Sequence, residues 1–252
     1  MSSRGGRHEA GPRLSGDGGT ALIEFAFIAP VFLMLVLGIF EFGLLFRDHT
    51  TITDAVSDGA RSGAIAGPDW GALDDDPPPA SGSPADLPDA TGDFVTIKRL
   101  RQGLARIPVE SVKRIVIFKA GDPTLGAPDD QLSDACKDGT GSSGSGPNAD
   151  PTLAYVGACN VYDAEDAFRA YANKDMSYFN CDLDAGSPEC DWPSHARVNA
   201  PINPVTRPGY LGPDYLGVYV EIERPYLTGL FGRTVNIREA SIVQLEPGLE
   251  RG

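Results

Sequence analysis

The sequence predicts an α+β protein: a long N-terminal transmembrane and stalk helix packed on a small antiparallel β-sheet, with long disulfide-stapled loops. Three observations predict it. Ala21–Phe46 is apolar except for Glu24 and Glu41. Gly217–Glu223 alternates Val218, Val220 and Ile222 with Tyr219, Glu221 and Glu223, and Thr234–Leu245 returns with Val235, Ile237, Ile242 and Val243. Cys136, Cys159, Cys181 and Cys190 all follow the apolar segment, in loop-rich sequence.

At about 1.5 Å per helical residue, Ala21–Phe46 spans roughly 39 Å, enough to cross a hydrocarbon core of about 30 Å. The uncharged stretch Phe25–Phe40 covers only about 24 Å, so Glu24 and Glu41 are expected near opposite boundaries. Pro30 removes one helix hydrogen bond and predicts a mild kink. A secretory signal peptide would have a shorter core and a small-residue cleavage site after it. Leu44-Leu45-Phe46-Arg47-Asp48 supplies no such site. Arg4, Arg7 and Arg13 precede the segment, whereas Arg47 and Arg61 are diluted by Asp48, Asp54 and Asp58. The positive-inside rule then puts the N-terminus in the cytoplasm and the rest of the chain outside.

The formal charge is −14 across 252 residues, and the first nineteen carry three Arg against Glu9 and Asp17. So acidic a remainder argues against nucleic acid or an anionic lipid surface as partner.

Beyond Phe46 the helical pattern persists. Ile52, Ala55, Val56, Gly59, Ala60, Gly63 and Ala64 form one small-residue stripe, which predicts close approach by a β-sheet of the same chain. Gly67-Pro68 ends the helix. A helix over residues 20–66 would be about 70 Å long. Residues 68–92, with Asp74-Asp75-Asp76-Pro77-Pro78-Pro79, read as a solvated linker. A helix is predicted next, with Asp93 as N-cap and Phe94, Ile97, Leu100, Leu104 and Ile107 on one face, stopped by Pro108. Val112–Lys119 reads as a core strand. Residues 121–151 read as loop. Ala154–Tyr162 reads as a short strand, Asp163–Ala172 as a short helix, and residues 173–213 as mostly loop. Pro225-Tyr226-Leu227-Thr228-Gly229-Leu230-Phe231-Gly232 joins the last two strands.

An even number of cysteines beyond an apolar anchor predicts two disulfides in an oxidising envelope. Three pairings are open; those closing local loops, Cys136–Cys159 and Cys181–Cys190, are preferred. No Cys-x-x-Cys pair supports zinc or redox chemistry, and His195 is the one histidine away from the apolar segment on its far side. No metal or cofactor is expected. Cys181-Asp182-Leu183-Asp184-Ala185-Gly186 lacks the third ligand and closing Glu of a calcium loop. Ser177, Ser187 and Ser194 lie in no nucleophile-elbow context.

Gly19-Thr20-Ala21-Leu22-Ile23-Glu24-Phe25 resembles a type IV prepilin processing site: glycine, then glutamate five residues after the cut, then an aromatic. Glu24-Phe25-Ala26, Ala29-Pro30, Gly38-Ile39-Phe40-Glu41-Phe42-Gly43 and Ala55–Arg61 are similar to the helix signature of TadE-like proteins, and the Leu227–Gly232 and Glu246-Pro247 ending resembles theirs too. The specific likeness covers roughly a fifth of the chain. It implies a pilin-like arrangement and a non-enzymatic minor pilin-like component of a Tad-type pilus assembly or secretion system. Its implied segments are a basic cytoplasmic leader (1–19), a transmembrane helix (20–46), a helix continuation (47–67), the linker (68–92) and an exported α+β domain (93–247). Gly19, Thr20, Glu24 and Phe25 would serve processing. Pro30 and Glu41 would serve helix assembly, although Glu41 also suits the outer membrane boundary. The implied partners are a prepilin peptidase, the inner-membrane platform proteins, other TadE-like subunits and a major pilin. The competing expectation is a membrane-anchored enzyme or ligand-binding module with its site in residues 121–213.

Overall fold

The computed structural model describes residues 17–66, 92–123, 126–139, 157–179, 192, 197, 213–229 and 231–246. Residues 68–91 of the expected linker, Cys181, Cys190, the Cys181–Gly186 segment and His195 lie outside the described residues, whereas Gly92 belongs to a helix. The chain divides into two compact units, Met1–Leu44 and Leu45–Gly252.

Helix α1 runs Asp17–Ala66, 50 residues with Pro30 inside it. Helix is already present at Asp17, the first described residue, three residues before the expected start at residue 20. Its apolar part is long and hydrophobic enough to cross a membrane, with a mean hydropathy of 2.5 and side chains largely uncovered by protein.

In the second unit, helix α2 (Gly92–Gly103) leads through a short turn at Val109–Ser111 into β1 (Val112–Ala120). Then come α3 (Asp134–Asp138), β2 (Cys159–Asp163), α4 (Ala164–Asn173), β3 (Tyr215–Pro225) and β4 (Thr234–Gln244). The four strands form one sheet in the order β2-β1-β3-β4, every pair antiparallel. Asp163 caps α4 by accepting from the Glu165 and Asp166 N–H groups, satisfying donors that a helix start leaves without intrahelical partners. The span read as loop at 121–151 contains α3, which Ser133 caps by accepting from the Cys136 N–H. Five residues are too few to leave a periodic signal.

The small-residue stripe is buried along its whole length, from Ile52 to Ala64. It packs into one core with Ile97 and Leu100 of α2, Phe168 of α4, and Ile115, Ile117, Val218 and Val220 of the sheet. The sheet is therefore only part of what the stripe accommodates. Cβ atoms built at Gly59 and Gly63 would meet Leu100 and Thr96 of α2, and one at Gly103 would meet Ala55 at 2.6 Å. Two helices cross here at a separation that side chains would prevent.

Although Tyr219 alternates with Val218 and Val220 in β3, it is as buried as they are. A second cluster forms on the far face, where Val116, Phe118 and Tyr219 lie beside Cys159 and Val161 of β2 and pack with Leu132 and Cys136. Gly217 pairs with Phe118, whose ring occupies the place of a Cβ there. The Cys136–Cys159 disulfide closes this cover across 23 residues of chain, which on chain-entropy grounds stabilises the fold by about 3 kcal/mol. Arg114 and Arg238 flank Glu221 on the same face, at 3.5 and 2.9 Å.

Candidate functional site

The residues with a predicted functional role gather at the start of α1. Gly19 and Thr20 lie in its first turn, and both are exposed, as are Glu24 and Phe25. Four residues separate Thr20 from Glu24, so the two share a helix face. Gly18 and Gly19 each cost about 1 kcal/mol relative to alanine in a helix interior. The Gly18-Gly19 pair therefore weakens α1 beside the Gly19–Thr20 peptide bond. Nothing lies within 4 Å of where a Cβ on Gly19 would stand. The fold places no demand for glycine at this position.

Pro30 and Glu41 are on the same helix but do not join this group. The ring of Pro30 is accommodated without ending α1. Glu41 is 3 % exposed, so its side chain is open neither to lipid nor to solvent. The neighbouring Phe40 and Phe42 are uncovered. Glu41 and Gly38, one turn apart, are both buried in a segment that is otherwise mostly exposed.

A second constellation escaped sequence reasoning. Asp93, read as an N-cap, lies within the first turn of α2 and is fully buried. Its Oδ2 accepts from Asn160 Nδ2 at 2.8 Å and from the Tyr162 hydroxyl at 2.6 Å. Its Oδ1 faces the Arg197 guanidinium in an ion pair whose side chains are both wholly buried. Asn160 also exchanges two hydrogen bonds with the Trp192 backbone, at 2.8 and 2.9 Å. The Arg197 guanidinium stacks over the Trp192 ring, 4.6 Å from its centroid. These contacts tie a carboxylate in α2 to β2 and to residues far along the chain. No spacing in the sequence signals them; a Trp and an Arg close together in polar, loop-like sequence are the one trace. The arrangement is closed to solvent, so it holds the fold together rather than meeting a substrate.

Burial, and then the Asp93 carboxylate, push the Tyr162 hydroxyl well above its ordinary pKa. Burial, followed by Asp166 and Asp163, pushes Tyr178 up to about 12. Both groups are neutral when protonated, and folding raises both pKa values. The stability they contribute is thus whole below an unfolded value of about 10 and is lost as pH rises through the folded values. We expect alkaline unfolding followed by near-ultraviolet circular dichroism to steepen above about pH 10, and Tyr178→Phe to flatten that decline. An identical alkaline profile for the variant would contradict this account. Among the described residues, no three His, Cys, Asp or Glu side chains converge to hold a metal ion.

A family model described as TadE-like protein matches residues 19–61. No curated protein matches the chain, and no solved structure does. The matched segment begins at Gly19 and ends within the buried stripe, so it takes in the exposed start of α1, the apolar segment and most of the face that packs on α2 and the sheet.

Proposed function

We propose, taking the TadE-like segment at residues 19–61 as the premise, that this chain is a non-enzymatic, minor pilin-like component of a Tad-type pilus assembly or secretion system. The observation that carries the reading is one continuous α1 with two characters. Its first part is apolar and uncovered, and its last part is a small-residue stripe fitted into an α+β domain. An uncovered apolar helix needs lipid or other helices around it. A domain built on the end of that helix is then tethered to the membrane.

In this reading the N-terminus is cytoplasmic and the domain extracytoplasmic, where the Cys136–Cys159 bridge persists. A prepilin peptidase cuts between Gly19 and Thr20. Glycine is needed there because the peptidase reads it, since the fold leaves the position open. The cut leaves a positive amine at Thr20, at the head of an apolar helix. Glu24, four residues on, neutralises that amine or the one on a neighbouring subunit. Phe25 packs the helix start among other TadE-like subunits and the major pilin, while the exposed apolar side chains around Pro30 meet the inner-membrane platform. The Cys181–Cys190 pair completes the stapling of the domain.

The test is genetic and structural together. Deleting the gene should abolish or sharply reduce surface pili in sheared fractions and in electron micrographs. The wild-type chain should restore them. Glu24→Ala should reach the membrane at normal levels yet fail to restore them. Normal piliation in the deletion strain would sink the proposal.

A further inference from the structure

Residues 94–109 carry Lys98, Arg99, Arg101 and Arg106 and no acidic side chain, in a chain of net charge −14. The core takes Ile97 and Leu100 of α2 and Leu104 and Ile107 just after it. That leaves Lys98, Arg99 and Arg106 exposed and Arg101 half-buried. Arg101 lies over the Phe168 ring, 5.4 Å from its centroid, and Arg99 reaches Gln102 at 3.4 Å. Among the described residues none of the four pairs with a carboxylate, Asp54 and Asp58 of the crossing α1 included. The strands differ in this respect. Arg114 and Arg238 share Glu221, Lys113 meets Glu223, Lys119 meets Asp214 and Arg224 meets Asp48.

The other side of the sheet has the opposite character. Residues 126–139 pack on it through Leu132 and Cys136, and they carry Asp129, Asp130, Asp134 and Asp138 against Lys137 alone. All four carboxylates are exposed, and the Asp134 side chain is 96 % open. The Cys136–Cys159 bridge ties this acidic segment to β2.

The two surfaces do not meet within one chain. α2 packs on the sheet face that carries Ile115, Ile117, Val218 and Val220, whereas the acidic segment packs on the face of Val116, Phe118 and Tyr219. Successive strand residues point to opposite faces. A twofold dimer made through either surface would set cations against cations or carboxylates against carboxylates, because such a contact uses the same patch on both copies. Head-to-tail stacking instead puts the basic face of one copy on the acidic face of the next. That contact leaves one face open at each end, so it repeats along a row.

We infer that the partner of the α2 face is a second copy of this chain: Lys98, Arg99 and Arg106 of one domain dock on Asp129, Asp130 and Asp134 of the next. Complementary charges fix register and reject wrong partners more than they add affinity. The contact is therefore weak between free domains and is strengthened where anchors hold copies in one bilayer. This inference rests on the reading of the chain as a membrane-anchored, assembling subunit.

Isotope-labelled and unlabelled full chain are reconstituted in equal amounts into phosphatidylcholine vesicles. A water-soluble carbodiimide then joins amines to carboxylates in direct contact. We expect mixed-isotope crosslinks from Lys98 to the segment 129–134, and a ladder of multimers that fades in high salt. A basic-face reversal (Lys98→Glu, Arg99→Glu, Arg106→Glu) and an acidic-face reversal (Asp129→Lys, Asp130→Lys, Asp134→Lys) should each lower the multimer yield about tenfold, because like charges then face each other. Mixing the two variants should restore the ladder, since each supplies the face that the other needs. Where a triple variant melts below the wild type, the single changes Arg99→Glu and Asp130→Lys replace it. A wild-type chain that stays monomeric would overturn the inference, as would folded variants that mixing does not rescue. A ladder unchanged by either reversal would also overturn it and assign assembly to another surface. Piliation of the complemented deletion strain reports the subunit reading separately, so that reading stands or falls apart from this contact.

Discussion

Asp93→Ala is expected to destabilise the C-terminal domain by about 3–5 kcal/mol, because it leaves a buried guanidinium without its counter-ion. The Asn160 amide and the Tyr162 hydroxyl would lose their acceptor at the same time, and a buried donor without a partner costs about 1–3 kcal/mol. Denaturant titration of the detergent-solubilised chain would show a lower midpoint for the variant. Asp93→Ala combined with Arg197→Met should recover part of the loss, since the stranded charge is gone. A double variant that loses the sum of both single losses would mean that the pair is not coupled as described.

Gly63→Val should cost more than about 3 kcal/mol, at or beyond the upper end of ordinary overpacking. A Cβ at Gly63 would stand 2.1 Å from Thr96 Oγ1 and 2.8 Å from Leu216 Cδ2. The Thr96 hydroxyl cannot swing aside freely, because it donates to the Gly92 carbonyl at 2.8 Å inside the core. The smaller change Gly63→Ala gains about 1 kcal/mol of helix propensity yet should still destabilise. Adding Thr96→Ala should restore part of what Gly63→Ala loses. Gly43→Ala in the same helix meets nothing within 4 Å and is expected not to lower the melting temperature. Equal melting temperatures for Gly63→Val and the unsubstituted chain would contradict the helix crossing.

Much of the fold was legible in the sequence because its elements are strongly periodic. The stripe from Ile52 to Ala64, the alternation at Val218, Val220 and Ile222, and Asp163 ahead of α4 each announce an element through local chemistry. The Cys136–Cys159 bridge was the preferred one of three open pairings because it closes a local loop, and the structure shows it. What stayed hidden depends on residues distant in sequence. Asp93 looks like an N-cap because Asp at a helix start commonly is one; its partners Asn160 and Tyr162 stand 67 and 69 residues away. The stripe reveals that something approaches closely, but not that α2 shares the contact with the sheet. The burial of Tyr219 leaves no trace in β3 because the cover over it comes from α3 and a disulfide, neither of which β3 can signal.

The candidate site shows the opposite balance. Gly19, Thr20, Glu24 and Phe25 were found by resemblance, and the structure adds that they are exposed in the first turns of α1. A site that another protein must read leaves little trace in packing, as the open space around Gly19 illustrates. The burial of Glu41, by contrast, was not predictable from a helix read in isolation.

The most direct test is the N-terminal sequence and intact mass of the protein extracted from its native membrane, beside Gly19→Val and Glu24→Ala variants. The account predicts a mature wild-type chain beginning at Thr20. It also predicts that Gly19→Val keeps its leader while its domain melts like the wild type. A wild-type chain that still begins at Met1 would contradict prepilin-type processing and leave α1 as a plain membrane anchor.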